Sequence, residues 1–124
     1  MTLKDEIPAL SGDLLDLVAR RLRVIAEPTR MRIVALLEQH EATVQELTDR
    51  LSLGTAPLTH QNVSKHLAVL YREGVCSRQR DGSRVRYALA DYTACQMIEQ
   101  ALASTAAHFE ELAEIAKPAG SAGP

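Results

Sequence analysis

The chain has 124 residues, 46% of them hydrophobic and 24% charged, and a formal net charge of −2. That length suits one domain with a real core, not comfortably two, and the composition is that of an ordinary soluble domain. No apolar run approaches the roughly 20 residues that span a bilayer, and the opening MTLKDEIPALSGD has no apolar signal core. Two cysteines far apart, Cys76 and Cys95, make no disulfide framework. A cytoplasmic protein without membrane partners is therefore expected.

Residues 1–11 are expected to be a flexible N-terminus, 12–116 the folded domain and 117–124, within KPAGSAGP, a disordered tail. With one Phe, three Tyr and no Trp, aliphatic side chains must fill the core. SGDLLDLVARRLRVIAE predicts a first helix: Leu14 or Leu15, Val18, Leu22 and Ile25 form one apolar stripe. Pro28 ends it and suits the first turn of a second helix, PTRMRIVALLEQH, whose buried face is Ile33, Leu36 and Leu37. ATVQELTDRL predicts a short third helix, with Thr43 as cap and Glu46 three residues later in a capping-box pattern. Val44, Leu47 and Leu51 keep its period.

After the connection SLGTAPL, Thr59 can cap a fourth helix running from His60 to about Glu73, closed by Gly74. Two extended runs follow, VCSRQR and SRVRYAL, joined through Asp81-Gly82, a strong hairpin signal. Asp91 then caps a long last helix with the stripe Cys95, Ile98, Leu102, Thr105 or Ala106, Phe109, Leu112 and Ala116. The fold class is mainly α with some β (α+β): four helices, a β-hairpin wing and a long C-terminal helix. The third and fourth helices with the hairpin make a winged helix-turn-helix.

The net charge conceals an asymmetry. From Thr59 to Ala90 there are six bases and two acids, a segment of +4; the remainder holds eight bases and fourteen acids, −6. Charge of one sign gathered on one segment suits a polyanion. At about 100° per residue, Val63, Leu67 and Leu70 fall on one side of the fourth helix, and Gln61, Lys65, Ala68 and Arg72 on the other. Asn62 and Ser64 flank them. Amide and hydroxyl side chains hydrogen-bond base edges, and cations neutralise phosphates. In the hairpin, Arg84 and Arg86 alternate with Val85, Tyr87 and Leu89, and Arg78 and Arg80 add two more cations. A solvated helix face and a solvated basic hairpin are the plainer readings of the same residues. The candidate DNA-binding set is Thr59, His60, Gln61, Asn62, Ser64, Lys65, Arg72, Arg78, Arg80, Arg84 and Arg86. His66 lies nearer the apolar side and is expected to pack.

AEPTRMRIVALL, TVQELTDRL, LTHQNVSKHLAVLYREGV and RDGSRVRYAL together resemble successive motifs of the ArsR family of small winged-helix repressors. The likeness covers about residues 20–92. It implies a homodimer through the terminal helices that binds double-stranded operator DNA and releases it when a metal ion or other signal binds. The apolar stripes support a dimer independently, because they are longer than a small core can cover. The interface candidates are Leu15, Val18, Leu22, Ile98, Leu102, Phe109 and Leu112. The turn spanning Ser52–Leu58 is four or five residues longer than the family's usual one.

The family's metal sites are not matched. Where it has Cys-x-Cys near the third helix, this chain has Thr43 and Gln45. On the last helix Asp91 matches, while Thr93, Ser104 and Ala107 replace the other ligands. Any cofactor is unknown on this reading. The residual metal candidates are His108 with Glu111, an i, i+3 pair, and Cys95; an exposed polar face and simple packing are the plainer explanations. A thiol switch is the other use of the cysteines. No phosphate loop, metalloprotease motif or activated nucleophile is found, so no enzyme is expected. A winged-helix protein-interaction module without specific operator binding is the alternative function.

Overall fold

The computed structural model describes residues 10–53 and 57–116. The expected flexible start and tail lie mostly outside them, as do the middle residues of the longer turn. Among the described residues, five helices and a small sheet follow the expected order: α1 (Gly12–Ile25), α2 (Pro28–Gln39), β1 (Ala42–Thr43), α3 (Val44–Leu51), α4 (His60–Arg72), β2 (Cys76–Asp81), β3 (Arg84–Leu89) and α5 (Tyr92–Ala116).

Local chemistry sets most of these boundaries. Ser11 Oγ accepts from the Leu14 amide at 3.2 Å and opens α1. The Glu27 carboxylate accepts from the Arg30 amide at 2.9 Å, and Pro28 occupies the first turn of α2. Thr59 caps α4 through the Asn62 amide at 3.1 Å. The same helix ends in a Schellman motif: Gly74 has φ +73°, its N–H donates to Tyr71 O at 3.0 Å, and Val75 N–H donates to Leu70 O at 2.9 Å. Val75 is fully buried, as the apolar partner of that motif should be.

Two local expectations are corrected. Ala42 is not helical: together with Thr43, which caps α3 as expected by accepting from the Glu46 amide at 3.2 Å, it forms a strand that pairs antiparallel with β3, Ala42 opposite Tyr87 and Thr43 opposite Arg86. The hairpin is therefore a three-stranded sheet of order β1-β3-β2. Two residues are too few for a period-2 pattern, and the pairing partner lies over 40 positions away in the chain. At the wing tip, Asp81 pairs with Arg84, so the two turn residues are Gly82 and Ser83, one position later than expected. Gly82 alone has positive φ, +65°, the type II′ pattern that a right-twisted hairpin favours.

One core joins the elements. Ile33, Val34 and Leu37 of α2, Leu47 and Leu51 of α3, and Val63, Leu67 and Leu70 of α4 are buried in it. Leu36, expected inside, is half-buried at its edge, and Val34 takes the central place. Truncating one such leucine to alanine costs about 2–5 kcal/mol. Only the first turns of α5 join this core: Ala94 and Cys95 are buried, Met97 and Ile98 partly so. Every residue from Glu99 to Ile115 is exposed. Among the described residues no helix is long and apolar enough to cross a membrane.

Candidate nucleic-acid interface

Burying Val63, Leu67 and Leu70 turns the opposite face of α4 outward. Thr59, His60, Gln61, Asn62, Lys65, Ala68 and Arg72 are exposed and Ser64 is half-exposed. The start of α4, α3 and the wing enclose a groove of about 630 Å³ lined by His60, Ser64, Arg84 and, from α3, Gln45 and Asp49. The last two were not anticipated. Gln45 Nε2 donates to Asp49 Oδ1 at 2.8 Å. Their place beside α4 depends on how two helices cross, which no local pattern carries.

The wing arginines do not act as one cluster. Cross-strand pairing sets Arg78 opposite Tyr87 and Arg80 opposite Val85, whereas Gln79 faces Arg86 and Asp81 faces Arg84. Paired residues share a sheet face, so the four cations divide two and two. The Arg78 guanidinium lies 4.1 Å from the centre of the Tyr71 ring, a cation–π contact. A hydrogen bond with Tyr87 helps hold its pKa above the ordinary arginine value. Arg86 Nε donates to Asp81 Oδ2 at 3.0 Å and Nη1 to Glu46 Oε1 at 3.5 Å. The same Glu46 oxygen takes the Thr43 hydroxyl at 3.1 Å. Arg86 thus ties the wing to α3, and its charge is already met by two carboxylates.

Among the described residues, no ion pair or side-chain hydrogen bond engages Lys65, Arg72, Arg80 or Arg84. The two acids of the basic segment are both occupied. Asp81 is spent on Arg86, and Glu73 Oε1 accepts from Arg20 Nε and Nη2 at 3.0 and 2.8 Å. The exposed α4 face and wing therefore keep four unpaired cations against no unpaired acid of their own. His66 is half-buried, its Nδ1 3.6 Å from Glu27 Oε2, and belongs to the packing of α4 on α2.

The dimer candidates separate as well. Leu102 and Phe109 are 68% and 61% exposed, and Val18, Leu22 and Leu112 are exposed too. Leu14, the alternative to Leu15 in the first stripe, is exposed too, and Leu17 and Ile115, not singled out beforehand, join them. Leu15 is half-buried and Ile98 packs on the chain's own core, so these two offer less to a partner.

The residues suggested for a metal do not converge within one chain. Cys95 sits in the first turns of α5, its Sγ 4.0 Å from Val34 O. His108 and Glu111 are exposed, about 20 Å or more further along the helix axis. Asp91, the one match to a family site, is engaged by Arg21 and accepts from the Thr93 amide at 3.0 Å as the cap of α5. Among the described residues no three His, Cys, Asp or Glu side chains gather to hold an ion. Burial pushes the Cys76 thiol up to about 11, and burial with the neighbouring Glu38 carboxylate pushes Cys95 up to about 12. Both are protonated, poor nucleophiles at neutral pH.

A helix-turn-helix whose second helix turns a polar face outward beside a β-wing defines the winged-helix class of DNA-binding regulators. Residues 25–75 match the family model described as "Helix-turn-helix domain". Over 91 residues the chain is 36% identical to the HTH-type transcriptional repressor SmtB of Mycobacterium tuberculosis, covering 73% of this chain and 64% of that protein. It thus matches just under two thirds of that relative's length. It is 32% identical over 93 residues to the "Probable mercury resistance operon repressor" of Streptomyces lividans, covering 68% of this chain and 70% of that one. A solved homodimeric winged helix-turn-helix DNA-binding domain from Mycobacterium bovis, "a possible ArsR-family transcriptional regulator", superposes with a TM-score of 0.67. It is 25% identical and covers 82% of this chain and 93% of its own. The chain belongs to the ArsR family of winged helix-turn-helix transcriptional regulators.

Proposed function

We propose that this chain is a transcriptional repressor that binds operator DNA as a homodimer in the cytoplasm. The observation that carries the reading is the outward face of α4. It offers Gln61, Asn62 and Ser64 with two unpaired cations, Lys65 and Arg72; the unpaired Arg84 lines the groove beside it, and the unpaired Arg80 stands at the wing tip. Gln61, Asn62 and Ser64 suit base edges in a major groove, and the cations suit phosphates. The backbone N–H groups in the first turn of α4 suit a phosphate as well. Arg78 and Arg86 hold the wing in place through Tyr71, Glu46 and Asp81.

Exposed leucines and Phe109 on α1 and α5 form an apolar surface that a second copy would cover. Two-fold pairing sets two reading helices about 34 Å apart, one turn of DNA. The similarity to two transcriptional repressors and to a homodimeric DNA-binding domain supports the same reading.

The test is fluorescence anisotropy on the duplex upstream of the chain's own gene, against a shuffled duplex of the same composition. Preference for the first by about 10³-fold or more is expected. Equal, weak binding to both would replace the repressor with an interaction module. Repeating the titration with zinc, nickel, cobalt, copper(I), arsenite and oxidant identifies any releasing signal.

A further inference from the structure

Two adjacent arginines of α1 reach across the chain to the ends of two other helices. Arg20 binds the Glu73 side chain. Arg21 does more: one nitrogen, Nη1, donates to the Glu73 carbonyl oxygen, and the other, Nη2, donates to Asp91 Oδ2. Glu73 is the C-cap of α4. Asp91 holds the first turn of α5 by accepting from the Thr93 amide. One half-buried guanidinium thus joins the end of the DNA-reading helix to the start of the helix that leaves the core.

The chemistry of the junction is matched at both ends. The C-terminus of a helix carries partial negative charge, and the carbonyl of α4 meets a cation there. The N-terminus of a helix carries partial positive charge, and the Asp91 carboxylate meets α5 there. A planar fork satisfies both acceptors in fixed directions, which a lysine ammonium would not do. Direct packing contributes little to this link, because α5 packs chiefly on α2. α2 packs on both helices, and the Ala90 and Asp91 amides donate to Val75 O at 2.9 and 3.1 Å; the Arg21 guanidinium adds the side-chain link that ties the α4 cap itself to the α5 cap.

We propose that Arg21 is a positioning residue that sets the spacing of the two reading helices in the dimer, by fastening the end of α4 to the root of α5. This rests on the dimeric DNA-binding reading above. If α5 and α1 form the interface, the distance between the two α4 helices is decided by how each is anchored to its own α5. Releasing that anchor leaves each α4 face intact and lets the pair adapt to other half-site separations.

The probe is the palindromic duplex selected from a random duplex library by the wild-type protein. Three forms are compared: the palindrome, the same palindrome with one base pair inserted at its centre, and a single half-site. The wild type is expected to lose about tenfold or more in affinity on insertion, since one half-site is displaced along and around the helix. Arg21→Met keeps the aliphatic stem and removes both hydrogen bonds. It is expected to lose less than about threefold on insertion, with half-site affinity within about twofold of wild type. Asp91→Asn cuts the other arm while keeping an oxygen to cap α5, and is expected to flatten the profile in the same way. It carries the test if Arg21→Met fails to fold by circular dichroism. A folded variant that keeps the wild-type penalty overturns the proposal. So does one that loses half-site and palindrome affinity equally, because the damage then lies within α4. A wild-type protein that selects no palindrome fails the DNA-binding reading itself, and the inference falls with it.

Discussion

Two surfaces of this chain are exposed for opposite physical reasons. The α4 face and wing tip expose amides, hydroxyls and unpaired cations, groups that water solvates well. The α1 and α5 faces expose Leu17, Leu102, Phe109 and Ile115, with Ile115 at 81%, groups that water solvates poorly. The first surface is stable alone and gains from meeting a polyanion. The second carries a standing cost that only covering it removes. The difference teaches that association with another copy should come first and DNA binding second, each supplied by separate residues.

The largest test of that division removes the apolar surface alone. Leu102→Asp with Phe109→Asp should give a folded monomer by analytical ultracentrifugation, since both side chains lie outside the core. Affinity for a palindrome should fall about 10²–10⁴-fold, the loss of bivalence, while half-site affinity is unchanged. A variant that stays dimeric would show that other residues make the interface.

Next in size is a test within the polar surface. Gln61→Ala should cost about 1–3 kcal/mol on the preferred sequence and almost nothing on shuffled DNA, measured by competition. Equal losses on both would make Gln61 part of a sequence-blind face.

A smaller effect separates the two kinds of wing arginine. Arg84→Ala should weaken binding to every duplex and lower the slope of log affinity against log salt by about 1. Arg86→Ala should leave that slope unchanged, because its charge is already met by Asp81 and Glu46. Its effect should appear instead as faster amide exchange in β2 and β3. Identical slopes for the two variants would erase the distinction.

The smallest effect concerns the junction between the surfaces. The Arg21 guanidinium and the Thr93 amide hold the Asp91 carboxyl below its ordinary value of 3.8. The ionised form is therefore favoured in the folded chain. Its contribution to stability is complete above 3.8 and is lost as the pH falls through the lower folded value. Melting temperatures followed from neutral pH to about pH 3 should fall less for Asp91→Asn than for the wild type. Parallel curves would mean that this carboxylate contributes nothing to the acid limb.

The elements that could be read from the sequence are those whose causes are local. The buried stripe of α4, its Thr59 cap and its Gly74 close lie within 16 consecutive residues and came out as expected. The hairpin followed from one Asp-Gly pair, although its turn sits one residue later. What was not legible depended on distant partners. β1 exists because Ala42 meets Tyr87. The contacts of Arg86 with Asp81 and Glu46 depend on strand register and on where α3 sits. Arg20 and Arg21 carry no local signal of their roles, because their partners stand 53 and 52 or 70 residues away. The apolar stripes of α1 and α5 were plain, but not where the core stops; that boundary makes Ile98 internal and leaves Leu102 outside.

The most direct measurement is an amide chemical-shift map of the isotope-labelled dimer on addition of its selected duplex. The account predicts that the largest changes gather at Thr59–Lys65, Arg72 and the wing tip from Arg80 to Arg84, with α1 and the distal half of α5 nearly unmoved. Large changes along Leu102–Ile115, with α4 silent, would contradict it: the apolar helices would then be meeting DNA, and the polar face of α4 would be only a solvated surface.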